Sequence, residues 1–197
     1  MTDSAADTAS SLIRAAGPDD VPAMLDIYAP LVRETVISFE YEPPSLDEMS
    51  RRLDEIQRGY PWLVYERGGV VAGYAYGSRF RGREAYQWTT EVTVYVHPAH
   101  HRRGVARALY EALFERLRAQ GYRTAVAVIT LPNPGSVALH EAVGFEPVGV
   151  FRRAGFKHGQ WCDVGAWQLD LVDPDLPGPD APPRAPASAG PGSDVRE

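Results

Sequence analysis

Apolar and polar positions along the chain switch between two periods, and each switch marks an element. SLIRAA, residues 11–16, reads as a short strand, and GPDDVPAMLDIYAPLVRET, residues 17–35, as a helix with acidic residues in its first turn and a bend near Pro30. SLDEMSRRLDEIQRG opens a second helix on a capping-box pair, Ser45 and Glu48, and closes it on Gly59. WLVYER and VVAGYAYGSRF flank Gly68-Gly69, which predicts a hairpin. AYQWTTEVTVYV, rich in aromatic and β-branched residues, continues as a strand up to Pro98. In VARALYEALFERLRAQG the residues Val105, Leu109, Ala112, Leu113 and Leu117 recur at helical spacing and form one apolar stripe. TAVAVIT then reads as a buried strand, NPGSVALHEAVGF as a helix ending at Gly144, and EPVGVFRR with DVGAWQLDL as a closing strand pair. Helices before and within a run of strands predict an α/β fold with a mixed central β-sheet flanked by helices.

Composition narrows the class. At 197 residues the chain suits one domain with a sizeable core. We place that domain at residues 11–172, between tails at 1–10 and 173–197 whose small, polar and Pro/Ala/Gly-rich composition predicts disorder. The net charge of -6 offers no global field for DNA or RNA, so a nucleic-acid partner is not expected. One cysteine, Cys162, excludes an internal disulfide and fits a reducing compartment. Neither a secretory leader nor a membrane-spanning apolar run is evident, which predicts a cytoplasmic protein without a membrane partner.

HPAHHRRGVARALY, residues 97–110, joins the aromatic strand to the striped helix. A helix N-terminus presents unpaired N–H groups and partial positive charge. Gly104 would let an anion approach the backbone, and Arg102, Arg103 and Arg107 would add charge, so the loop suits phosphate. Neither GxxxxGK[ST] nor a GxGxxG after a strand is present, which argues against ATP or a dinucleotide. The same arginines also suit a merely solvated face. His97, His100 and His101 lack an accompanying ligand set, so no metal is expected.

HRRGVA resembles the pyrophosphate-binding motif Q/R-x-x-G-x-G/A of the GCN5-related N-acetyltransferases (GNAT superfamily), with His101 standing where Gln or Arg is usual. NPGSVALHEAVGF resembles the second cofactor motif of that superfamily. YPWLVYE, AYQWTTEVTVYV, VAVITLPNPGSVALHEAVGF and AGFKHGQWCDVGAWQLD are similar to blocks of the phosphinothricin N-acetyltransferase family, and together these blocks cover residues 12–171. The resemblance implies the GNAT acyl-CoA N-acyltransferase fold. It also implies acetyl-CoA as cosubstrate, a small amino-acid-like substrate such as phosphinothricin, methionine sulfoximine or methionine sulfone, and a homodimer. A broader amino-acid N-acetyltransferase and a non-catalytic acyl-CoA sensor are the rival readings.

Acetyl transfer to an amine needs a base, because the amine is mostly ammonium at neutral pH. Glu91 is a carboxylate in mid-strand, costly to bury unless paired or functional, although strand alternation would equally turn it to solvent. The resemblance makes it the base. His140 lies seven residues after Asn133 on the same helix face, and the resemblance implies that it protonates the leaving thiolate or positions the substrate. Tyr110 is a weaker candidate acid. By resemblance the strand at Val94, Tyr95 and Val96, the loop at Arg102, Arg103, Gly104, Val105, Ala106 and Arg107, and the N-cap residue Asn133 hold the cofactor. Arg81 and Arg83 are expected to meet the substrate's oxyanions, with Phe39 and Tyr86 as walls. Lys157 and His158 are read either as closing the pocket or as a hairpin turn, and no base partner for Cys162 as an acetyl carrier is evident.

Overall fold

The computed structural model describes residues 10–186. The strands are β1 (Ser11–Ala15), β2 (Trp62–Arg67), β3 (Val70–Arg79), β4 (Thr89–Val96), β5 (Thr124–Leu131), β6 (Glu146–Lys157) and β7 (Gln160–Asp170). The helices are α1 (Val21–Glu34), α2 (Leu46–Gln57), α3 (Val105–Gln120) and α4 (Pro134–Ala142). The strands form one sheet in the order β1-β2-β3-β4-β5-β7-β6, antiparallel throughout except at the β4/β5 junction. This is the expected mixed sheet with flanking helices. No helix of the described residues is long and apolar enough to cross a membrane.

Strand alternation divides the core into two layers. Leu63 packs with the α3 stripe, while its neighbours Trp62 and Val64 pack with Met24 and Ile27 of α1 and Met49 and Leu53 of α2. Val105, Leu109, Leu113 and Leu117 are buried as the helical spacing predicts, joined by Tyr110 and Phe114. α2 begins where Ser45 accepts a hydrogen bond from the Glu48 amide, and the Glu48 carboxylate turns to Arg51 and Arg52. α1 continues through Pro30 to Glu34.

Two stretches depart from expectation. The closing strand pair is longer than EPVGVFRR and DVGAWQLDL suggest, since pairing resumes from Gly155↔Cys162 to Lys157↔Gln160. His158 and Gly159, with φ of 49° and 75°, form its two-residue turn, the conformation that matches hairpin twist. Residues 173–186, expected as the start of a disordered tail, instead lie against the domain. Side chains of Trp88, Gln120 and Arg123 donate to the carbonyls of Ala181, Arg184 and Pro177, and the Arg184 amide donates to the Gln120 carbonyl. Backbone carbonyls that have no sheet partner find side-chain donors there. The remainder of that tail, and nearly all of the N-terminal one, lie outside the described residues.

Candidate active site

β4 and β5 pair only over Thr89–Glu91 and Thr124–Val126, then separate. Beyond Glu91, β4 therefore keeps a neighbour on the β3 side alone. Its groups on the other side follow from the register. The His97 amide donates to Ala72 O, and the β3/β4 ladder continues this alternation through Tyr95↔Tyr74. The N–H and C=O of Val92, Val94 and Val96 consequently face the opening. Val96 O is met there by His101 Nε2 at 2.9 Å. The histidine that replaces the usual motif residue thus ties the loop to the strand end. Tyr95, expected beside Val94 and Val96, directs its backbone into β3, and its ring packs on Tyr28 and Tyr74.

The loop below the opening is built for an anion. Gly104 is the N-cap of α3 with φ 79°, a conformation glycine adopts without penalty, and no side chain caps the helix. The first intrahelical bond runs from Ala108 N to Gly104 O, so the amides of Val105, Ala106 and Arg107 have no partner within the helix. Arg102 also takes positive φ, and Arg102 and Arg103 are exposed beside these amides. Arg107 is drawn to Glu111 at 2.8 Å instead. Unpaired amides, a helix dipole and two arginines make a phosphate cradle. The open β4 edge beside it offers donors and acceptors to an extended, amide-bearing arm.

The separation of the strands leaves a cleft of about 290 Å3 that holds Glu91, Phe39, Tyr110, Asn133 and His140 together. The side chains of β4 alternate, so Glu91 projects toward the α1/α2 layer, whereas Val92 packs with α3. Burial alone pushes the Glu91 carboxyl above its usual range. Across the cleft, Asn133 caps α4 by accepting from the Ser136 amide. One turn further on, His140 Nδ1 lies 2.7 Å from Ser136 O. A carbonyl only accepts, so Nδ1 carries the hydrogen and Nε2 is the nitrogen that titrates. Nε2 accepts from the Tyr110 hydroxyl at 2.8 Å. Burial depresses His140 and raises Tyr110, keeping both neutral. The cleft thus pairs a carboxylate prone to take a proton with a Tyr110–His140 couple able to pass one.

Other predicted residues go elsewhere. Phe39 reaches the cleft, but Arg81, Arg83 and Tyr86 do not: they line a second recess of about 300 Å3 with Tyr60, Tyr122 and Pro183. The β3–β4 loop folds back on itself because Arg79 donates to Arg81 O and Gly82 O, and the Arg81 guanidinium lies over the Phe80 and Tyr86 rings. Cys162 is buried, with its thiol directed at Gln160 O, away from acyl chemistry. Among the described residues no group of side chains could hold a metal. Ser136 is a functional residue that the sequence analysis does not single out, although its place four residues before His140 is visible in the sequence.

An acetyltransferase (GNAT) domain family matches residues 13–165. The chain is 45% identical to a phosphinothricin N-acetyltransferase of Streptomyces viridochromogenes, over 87% of this chain and 92% of that protein. It is 37% identical to an L-methionine sulfoximine/L-methionine sulfone acetyltransferase of Pseudomonas paraeruginosa, over 86% of this chain and 99% of the relative. The fold superposes on a crystal structure of a GNAT superfamily phosphinothricin acetyltransferase from Sinorhizobium meliloti in complex with AcCoA. That match has a TM-score of 0.79 and 39% identity, and covers 82% of this chain and 89% of the other.

Proposed function

Because the chain belongs to the GNAT acetyltransferases, we propose that it transfers acetyl from acetyl-CoA to the α-amino group of phosphinothricin. The carrying observation is the cleft at the β4/β5 separation, where a half-buried Glu91 and the Tyr110–His140 couple share one space beside an uncapped α3 N-terminus. The names of the Streptomyces and Sinorhizobium relatives supply the substrate. A methionine sulfoximine or methionine sulfone is the second reading, favoured by the Pseudomonas relative.

When bound, acetyl-CoA supplies an activated acetyl thioester. The amides of Val105 and Ala106, with Arg102 and Arg103, suit its pyrophosphate, and the outward N–H and C=O of Val94 with the N–H of Val96 suit the amides of its arm. Asn133 also lines the cleft. Glu91 takes the proton from the substrate ammonium and so exposes the nitrogen lone pair; its raised pKa makes it a better base than a surface carboxylate. On the leaving side, the Tyr110 hydroxyl would give its hydrogen to the departing sulfur and regain one from solvent through Nε2 of the neutral His140. Ser136 O holds Nδ1–H throughout, which reserves Nε2 for that transfer. Phe39 supplies an apolar wall for the substrate side chain.

We place this activity in the cytoplasm, where acetylation of phosphinothricin would give resistance to it. We also assign a homodimer, with edge strand β6 as its surface: Val148, Val150 and Phe151 lie more than half exposed there. Sedimentation at micromolar concentration should give twice the chain mass, and a monomer would refute the dimer. Thiol release with phosphinothricin, methionine sulfoximine, methionine sulfone, glutamate and small peptides tests the substrate. Fastest turnover on phosphinothricin is expected; acetyl-CoA binding without turnover on any of these would leave a sensor.

A further inference from the structure

Lys157 is the one lysine in the chain, and its side chain is buried, with 1% exposed. Among the described residues no carboxylate forms an ion pair with it, although the charge of Glu40 is near enough to favour its ammonium form. Its Nζ donates instead to two carbonyls, Val32 O at 2.6 Å and Ser38 O at 2.7 Å. Val32 lies in the last turn of α1, where carbonyls lack helical partners and the dipole favours a cation. Ser38 belongs to the segment after α1, whose Ile37, Ser38 and Phe39 line the cleft with Glu91. An ammonium at the tip of the β6–β7 hairpin therefore fastens the end of α1 and the wall of the cleft at once.

Two further contacts join the same surfaces. The Tyr41 hydroxyl donates to Phe156 O at 2.6 Å. The Phe39 ring occupies the space a side chain at position 155 would fill, since a Cβ on Gly155 would collide with Phe39 Cε2 and Cζ. The register of the hairpin shifts between Phe151 and Gly155. At that shift the Arg153 amide bonds to Asp163 Oδ1. From the other side, Ser38 Oγ meets the Tyr28 hydroxyl, which also donates to Glu40, itself paired with Arg52. Hairpin and helix layer thus hold the segment between them, and neither contact set touches the α3 N-terminus.

We propose that Lys157 is a positioning residue for amine recognition, fixing the Ile37–Phe39 segment so that Phe39 stands in the cleft that contains Glu91. The proposal rests on the acetyltransferase reading for its kinetic consequence alone. Lys157→Met keeps most of the side-chain volume and removes the ammonium. The KM for the amine should rise about tenfold or more, the loss that follows when charge-assisted hydrogen bonds are removed. The KM for acetyl-CoA should stay within about twofold, because its cradle lies on α3 and β4. Tyr41→Phe, on a side chain 68% exposed, spares the core and should raise the same KM about threefold, the size of one neutral hydrogen bond. Equal rises in both KM values, or no rise in the amine KM for the Tyr41 variant, would overturn the proposal.

Hydrogen exchange provides a readout that needs no substrate. Amides of residues 36–41 should exchange faster in Tyr41→Phe and in Lys157→Met, with α3 unchanged. Unchanged exchange at 36–41 overturns the clasp even if catalysis is confirmed. Faster exchange there in a protein that turns over none of the amines would uphold the clasp and refute the acetyltransferase reading separately.

Discussion

Tyr110→Phe isolates one oxygen in the centre of the molecule. The Tyr110 side chain is wholly buried and stacks on Phe114 at 5.1 Å, so phenylalanine fills the same space and only the bond to His140 Nε2 disappears. Losing one partner of a buried hydrogen bond costs about 1–3 kcal/mol. For a protein of this size each kcal/mol shifts Tm by about 2–4 °C, so a fall of about 2–12 °C is expected. The catalytic effect is separate. If Tyr110 relays the proton of His140, kcat should fall about 100-fold or more, the range for loss of a general acid. Both KM values should hold, because Phe39 and the α3 amides are untouched. Steady-state kinetics at 25 °C, well below the reduced Tm, separates the effects. A lower Tm with kcat within threefold of the parent would refute the relay and leave Tyr110 as packing.

Further outcomes follow from other sites. Leu113→Ala removes a fully buried side chain from the α3 stripe and should cost about 2–5 kcal/mol in denaturant unfolding, without altering KM. Gly104→Val forces a β-branched residue into φ 79° and should weaken CoA binding in titration calorimetry well before it affects the amine KM. Arg81→Ala lies on the separate recess and should leave the amine KM within about twofold; a tenfold rise would return that loop to the substrate site. Because burial raises the Glu91 pKa, Glu91 contributes its full stability below about pH 4.5 and loses it as pH rises through the folded value. Glu91→Gln should therefore raise Tm at pH 7 and have little effect on it at pH 4.

Several of these features are legible in the sequence itself. Glu91 stands out because a carboxylate interrupts a β-branched strand, and Asn133-Pro134 is an N-cap signal the structure honours. Gly104 is marked by its place between two arginines and a striped helix. The α3 stripe needed only spacing. What escaped was set by contacts between segments remote in sequence. Nothing in TEVTVYV says that β4 and β5 part after Glu91, yet that parting makes the cleft. Tyr110 is 30 residues from His140 and Lys157 is 119 from Ser38, so neither bond has a local signature. The arginines of RFRGREAY suggest an oxyanion site by number, but their placement on a recess apart from the cleft has no local signature. The Pro-rich segment from residue 173 misled in the opposite sense: it buries little, but its carbonyls found partners on Trp88, Gln120 and Arg123.

The central claim is that Glu91 takes the substrate proton in the cleft between β4 and β5. The pH dependence of kcat/KM for phosphinothricin, measured for the parent and for Glu91→Gln, tests it most directly. The parent should lose activity toward low pH through a midpoint above the ordinary glutamate value of 4.5, as the raised pKa requires. Glu91→Gln should be slower by about 100-fold or more at neutral pH and should lack that limb. Its acetyl-CoA affinity should be unchanged. A variant that keeps both the parent's rate and its low-pH limb would contradict the account.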